Sequence, residues 1–84
     1  MKYLQIKKEV LELEKYIKRE VYWARKETKR EEVMRTKIRI GTDWYQTYAN
    51  LCAYRNRFDL KENDPLWTKM RELQKMIGIM GIIR

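Results

Sequence analysis

Between Lys2 and Arg39 the chain has neither glycine nor proline, and its apolar residues return at a helical step. Tyr3, Ile6, Val10, Leu13, Ile17, Val21, Ala24 and Thr28 follow one another at intervals of three and four. At about 3.6 residues per turn these positions line one side of a helix. Lys8, Lys15, Arg19, Lys26 and Arg30 fall on the opposite side, with Lys18, Arg25 and Lys29 beside them. The pattern predicts a long amphipathic helix over residues 2–39. Its stripe weakens after Ala24, where Glu27, Glu31 and Arg35 occupy apolar positions, so the second half is expected to project or pack less tightly.

Gly41 reads as the residue that ends this helix, because glycine accepts the left-handed conformation common there. The alternative weighed for TKIRI (residues 36–40) is a short extended piece with alternating side chains. Asp43, with Gln46 three residues on, resembles a capping box and predicts a second helix over 43–58. Trp44, Tyr48, Leu51, Arg55 and Phe58 lie along one face of it. Residues 59–63 form a polar loop. Asp64 followed by Pro65 is a helix start, since proline lacks only an N–H that would be unpaired there. The third helix, 65–77, carries Leu66, Met70, Leu73 and Ile77 on one face and stops near Gly78. The apolar tail 78–84 is free in this reading to cover the core, to pair with TKIRI, or to dock on a second subunit. The expected fold is all-α, one domain over residues 1–84, with a long first helix and a shorter helical hairpin.

A chain of 84 residues builds a small core, burying only about 60–65% of its unfolded surface. Dimerisation or partner binding is an ordinary way to add buried area. Three Trp and six Tyr argue against a disordered chain. The net charge of +8 is uneven: residues 1–40 hold thirteen Lys/Arg against seven Glu, whereas residues 41–63 are neutral. Such asymmetry suits an acidic partner: nucleic acid, or less often a membrane surface or acidic protein.

Chemistry is sparse. The chain has no histidine, the side chain whose ordinary pKa lies near neutrality. Its one cysteine, Cys52, sits between Leu51 and Ala53 and reads as a small buried hydrophobe. The carboxylates are scattered among basic residues, which favours ion pairs such as Glu14–Lys18 over a metal site. Gly41, Gly78 and Gly81 make no phosphate loop. Neither catalysis nor a cofactor is expected. No signal peptide or transmembrane run is visible, so the expected location is cytoplasmic.

One constellation remains. KREVYWARKETKR, residues 18–30, holds six basic side chains and two aromatics. A row of Lys and Arg along a helix can neutralise several phosphates together, and Tyr22 among them can stack on a base. The candidate nucleic-acid-binding residues are Lys8, Lys15, Lys18, Arg19, Tyr22, Arg25, Lys26 and Lys29. The competing reading is a solvated face with aromatics reaching into the core. A helix-turn-helix is disfavoured, since the third helix is apolar and Met-rich.

YANLCAYRNRFDLKENDPLW, residues 48–67, resembles a helix–loop segment of small phage-encoded proteins that include type V anti-CRISPR proteins. The likeness rests on Leu51-Cys52-Ala53, the aromatic Tyr54, Arg55, Phe58, and a polar loop leading to Asp64 and Leu66. It spans about a quarter of the chain and departs from the pattern at Asn56, where a histidine is expected. It implies a phage origin, a location in host cytoplasm and an inhibitory binding role; Arg55 and Arg57 are the exposed-looking residues of the match available to contact a partner.

Two functions follow as expectations. The first is a non-catalytic protein holding nucleic acid or a nucleoprotein on the basic face of its first helix. The second is an inhibitor or adaptor binding a host protein through the second and third helices and the tail, with Arg55, Arg57, Met76 and Met80 in contact. A homodimer is compatible with either.

Overall fold

The computed structural model describes residues 3–80 and contains three helices: α1, Tyr3–Lys26; α2, Arg30–Phe58; and α3, Pro65–Gly78. The fold is all-α, and no strand occurs among the described residues. The helices form a bundle measuring 44 × 19 × 16 Å. The chain runs up α1, down α2 and up α3, so α1 and α3 point the same way.

The sequence pattern correctly places one face of α1 and one face of α3 in the core. Ile6, Val10, Leu13, Ile17, Val21 and Ala24 are buried from α1, and Leu66, Met70, Leu73 and Ile77 from α3. Val33, Ile40 and Leu51 join them from α2. Asp64 caps α3 as expected: its Oδ1 accepts the Leu66 N–H at 2.9 Å and the Tyr3 hydroxyl at 3.1 Å.

The first two helices divide at a different place from the one the glycine suggests. The first helix ends at Lys26 rather than Arg39, and the second begins at Arg30 rather than Asp43. Lys29 is extended at φ −84° and ψ 113°, and its N–H donates to Glu27 Oε1 at 3.0 Å. Apolar burial explains the break. The stripe fails where Glu27 and Glu31 occupy its positions, so a straight continuation would leave Val33 and Ile40 without a core. Folding back brings them onto α1.

Gly41 consequently lies inside α2, and Asp43 is a mid-helix residue rather than an N-cap. TKIRI is helical, with Ile40 fully buried and Ile38 exposed. Thr28 is exposed and outside α1. Of the predicted second-helix face, Leu51 is buried and Trp44 half-buried, while Tyr48, Arg55 and Phe58 are exposed. Asp59 ends α2 at φ 57°, in the left-handed region, with its N–H on the Arg55 carbonyl at 2.9 Å. Gly78 is the last residue of α3. Met80 packs into the core, so the start of the tail covers it; the remainder, residues 81–84, lies outside the described residues.

Side chains tie the helices together at several levels. The Trp44 Nε1–H donates to the Met70 carbonyl at 2.8 Å, and Trp44 stacks on Tyr48 at 5.0 Å between centroids. Lys37 Nζ reaches the carbonyls of Gly78 and Met80 at 3.4 Å. A cation there meets carbonyls that a helix C-terminus leaves unpaired.

Candidate nucleic-acid interface

The core stripe of α1 faces α2 and α3, so the opposite side of the helix faces solvent. Lys8, Lys15, Lys18, Arg19, Tyr22, Arg25 and Lys26 are all exposed there. From Lys8 to Lys26 the row runs about 27 Å at 1.5 Å per residue. Lys29, expected on the same helical face, instead lies in the extended connection at the tip of the α1–α2 hairpin.

What makes this surface cationic is where the neighbouring acids go. Glu14 lies 3.3 Å from Lys18, but its carboxylate also takes Lys69 of α3 at 3.0 Å. Glu20 lies 3.8 Å from Arg19 and pairs with Arg39 of α2. Both carboxylates are thus drawn inward to neighbouring helices, while the Lys18 and Arg19 side chains remain 59% and 65% exposed. Burial works to raise the Glu14 pKa, but hydrogen bonds from Lys69 and Lys18 outweigh it and hold the carboxyl below its ordinary value. Lys8 is only loosely paired, 4.0 Å from Glu12. Among the described residues, no carboxylate pairs with Lys15 or Arg25.

The far end of the row is aromatic. Tyr22 and Trp23 are 54% and 58% exposed and meet edge to face at 5.4 Å. Lys26 Nζ donates to the Tyr22 hydroxyl at 2.7 Å and lies 4.3 Å from the Tyr22 centroid and 5.4 Å from that of Trp23. Cation–π attraction organises this tip. Arg30, at the start of α2, is exposed beside it in sequence.

Arg39 belongs to the edge of this surface although sequence reasoning left it out. It donates from Nε to the Tyr16 hydroxyl at 3.1 Å and pairs with Glu20. The bond to Tyr16, with the Glu20 charge, raises its already high pKa, so it is always cationic. Only the fold-back at residues 27–29 brings Arg39 beside α1. Trp23 carried a signal: it stands next to Tyr22 where the stripe fades.

The four candidate partner residues do not converge. Arg55 and Arg57 are exposed at the C-terminal end of α2, and Arg55 lies over the Trp67 ring at 5.5 Å. Met76 and Met80 lie at the C-terminal end of α3, the opposite end of the antiparallel α2–α3 pair. Met76 is half-buried, and Met80, expected as adaptable contact surface, is a core residue at 6% exposure. Cys52 packs half-buried against the core. No group of His, Cys, Asp and Glu suited to a metal occurs among the described residues, and no helix there is long and apolar enough to cross a membrane.

No family model, curated protein or solved structure matches this chain.

Proposed function

We propose that the protein is a non-catalytic binding protein that holds nucleic acid or a nucleoprotein on the outer face of α1. The supporting observation is the one-sided row of cations in which two acidic neighbours, Glu14 and Glu20, are engaged by other helices. Contacts from Lys and Arg to phosphates supply affinity without reading sequence. Tyr22 and Trp23 add aromatic surface against which a base or sugar can pack. Nothing in the row resembles a helix placed for base readout, so the reading is of a phosphate-holding surface with little sequence preference.

The test compares wild type with a Lys15→Glu, Arg19→Glu, Lys26→Glu variant across a salt series, using labelled duplex DNA, single-stranded DNA and RNA. Each neutralised phosphate contributes roughly −0.7 to −0.9 to the log–log slope, so the wild type should show a slope of several units on at least one ligand. The variant should bind far more weakly with unchanged helicity. Equal affinity for the two proteins, or no binding at low salt, overturns the reading.

A further inference from the structure

The other side of the bundle carries a surface of contrary character. On α2, Met34, Ile38, Gly41 and Tyr45 follow at steps of four, three and four, and Tyr48 continues the line. Ile38 and Tyr45 are 67% and 68% exposed, and Met34 and Tyr48 are also exposed. The segment from Trp44 to Tyr54 is eleven residues without one charged side chain, in a chain that is 38% charged. This face lies away from α1, which meets α2 through residues such as Arg39. Gly41 stands at its middle, and a Cβ added there would meet nothing within 4 Å. The packing of this chain alone therefore gives no reason for glycine, which costs about 1 kcal/mol against alanine inside a helix.

We infer that this face is the docking surface for a second copy of the chain, α2 against α2, antiparallel about a two-fold axis at Gly41. Three observations select that occupant. The first is register. A two-fold axis at Gly41 sets Met34 against Tyr48 of the second copy and Ile38 within one residue of its Tyr45, so the strip is its own complement, as a closed symmetric interface requires. Glycine at the crossing lets the two backbones approach closely.

The second is charge. Each chain carries +8, and two copies repel wherever their charged surfaces meet. The uncharged strip is where that repulsion is least, and it keeps the two basic α1 faces on the outside of the pair. Cations border the strip rather than stand on it: Arg71 of α3 lines the groove beside Tyr45 and Tyr48. Depletion of charge together with enrichment in Tyr and Met is also the composition of interface cores.

The third is area. The strip from Met34 to Tyr48 is about 21 Å long, and covering it buries on the order of 1,000 Å² over both copies, the lower limit for a specific interface. Area does not fix affinity, but interfaces at that limit are the weak ones, and the measurement is set to bracket a Kd on the order of micromolar.

Sedimentation equilibrium of the full chain, from about 1 to about 500 micromolar so as to bracket such a Kd, tests this. The wild-type mass should climb towards two chains. An Ile38→Glu, Tyr45→Glu variant alters two exposed side chains, so it should keep its far-ultraviolet circular dichroism yet stay at one chain throughout. Lys7→Gln, exposed on α1 and outside the strip, should associate like the wild type. A wild-type mass of one chain at every concentration overturns the inference and points to the last residues of the chain or a different protein as cover. Unaltered association of the double variant overturns it too, by moving the contact to another face.

Discussion

Glu14 on α1 and Lys69 on α3 are joined through both carboxylate oxygens, with Nζ at 3.1 and 3.0 Å. The contact spans 55 positions of sequence, and Lys18 supports it from the next turn of α1. It anchors α3 to α1 and removes a negative charge from the outer face.

The pair makes stability depend on acid in a definite direction. The folded-state pKa of Glu14 lies below its ordinary value, so its contribution is complete above the ordinary glutamate range and is lost as pH falls through the folded value. Both lysines reach solvent, and screening limits the effect to less than about 1 kcal/mol. Urea unfolding at neutral pH should show Glu14→Gln less stable than wild type. At a pH well below 4 the two should coincide. A gap that persists in acid would mean that packing, and not charge, separates them.

The start of α3 offers a second measurement. Asp64 Oδ1 serves both the Leu66 N–H and the Tyr3 hydroxyl. Removing an N-cap acceptor costs about 1 kcal/mol, and the added hydroxyl bond contributes about 0.5–1.5 kcal/mol more. Asp64→Ala should therefore lower stability by about 1.5–2.5 kcal/mol, and Asp64→Asn by much less. In a double-mutant cycle, Tyr3→Phe should cost measurably in wild type and almost nothing beside Asp64→Ala. Full additivity would dissolve the claimed link between α1 and α3.

The stripes of α1 and α3 were legible because a regular apolar period survives any tertiary arrangement, and Asp64-Pro65 because its cap is local. The break at Glu27–Lys29 was harder. It contains no glycine or proline, and the chain turns there because a core at Val33 and Ile40 requires a reversal that no local residue announces. The glycine that looks like a stop, Gly41, is helical, since its neighbours Ile40 and Trp44 pack against α1 and α3. The exposed basic face was readable from spacing alone. Its electrostatic character was not, because Glu14 and Glu20 are drawn off by Lys69 and Arg39, residues 55 and 19 positions away.

That arrangement predicts unequal contributions from the cations. Lys15 has no carboxylate partner among the described residues, whereas Lys26 is engaged with Tyr22. If α1 holds phosphates, Lys15→Gln should reduce the magnitude of the salt slope by about one unit. Lys26→Gln should reduce it less and instead perturb the Tyr22–Trp23 pair, visible as a change in tryptophan fluorescence. Equal loss from both would show that Lys26 leaves its aromatic contacts to reach the ligand.

Gly41 separates the stability of one chain from the association of two. Alanine in a helix is favoured over glycine by about 1 kcal/mol, and the space around Gly41 is open. For a domain this small, 1 kcal/mol raises Tm by about 4–8 °C. In dilute protein, where single chains dominate, Gly41→Ala should show that full rise. In concentrated protein the wild type gains stability from association by mass action, while the alanine methyls hold the two α2 helices apart at their crossing. The advantage of the variant should therefore shrink as concentration increases. A rise of equal size at all concentrations would leave Gly41 as a helix defect alone, with no part in joining two copies. No rise even at high dilution would mean that something outside the single chain already occupies the space beside it.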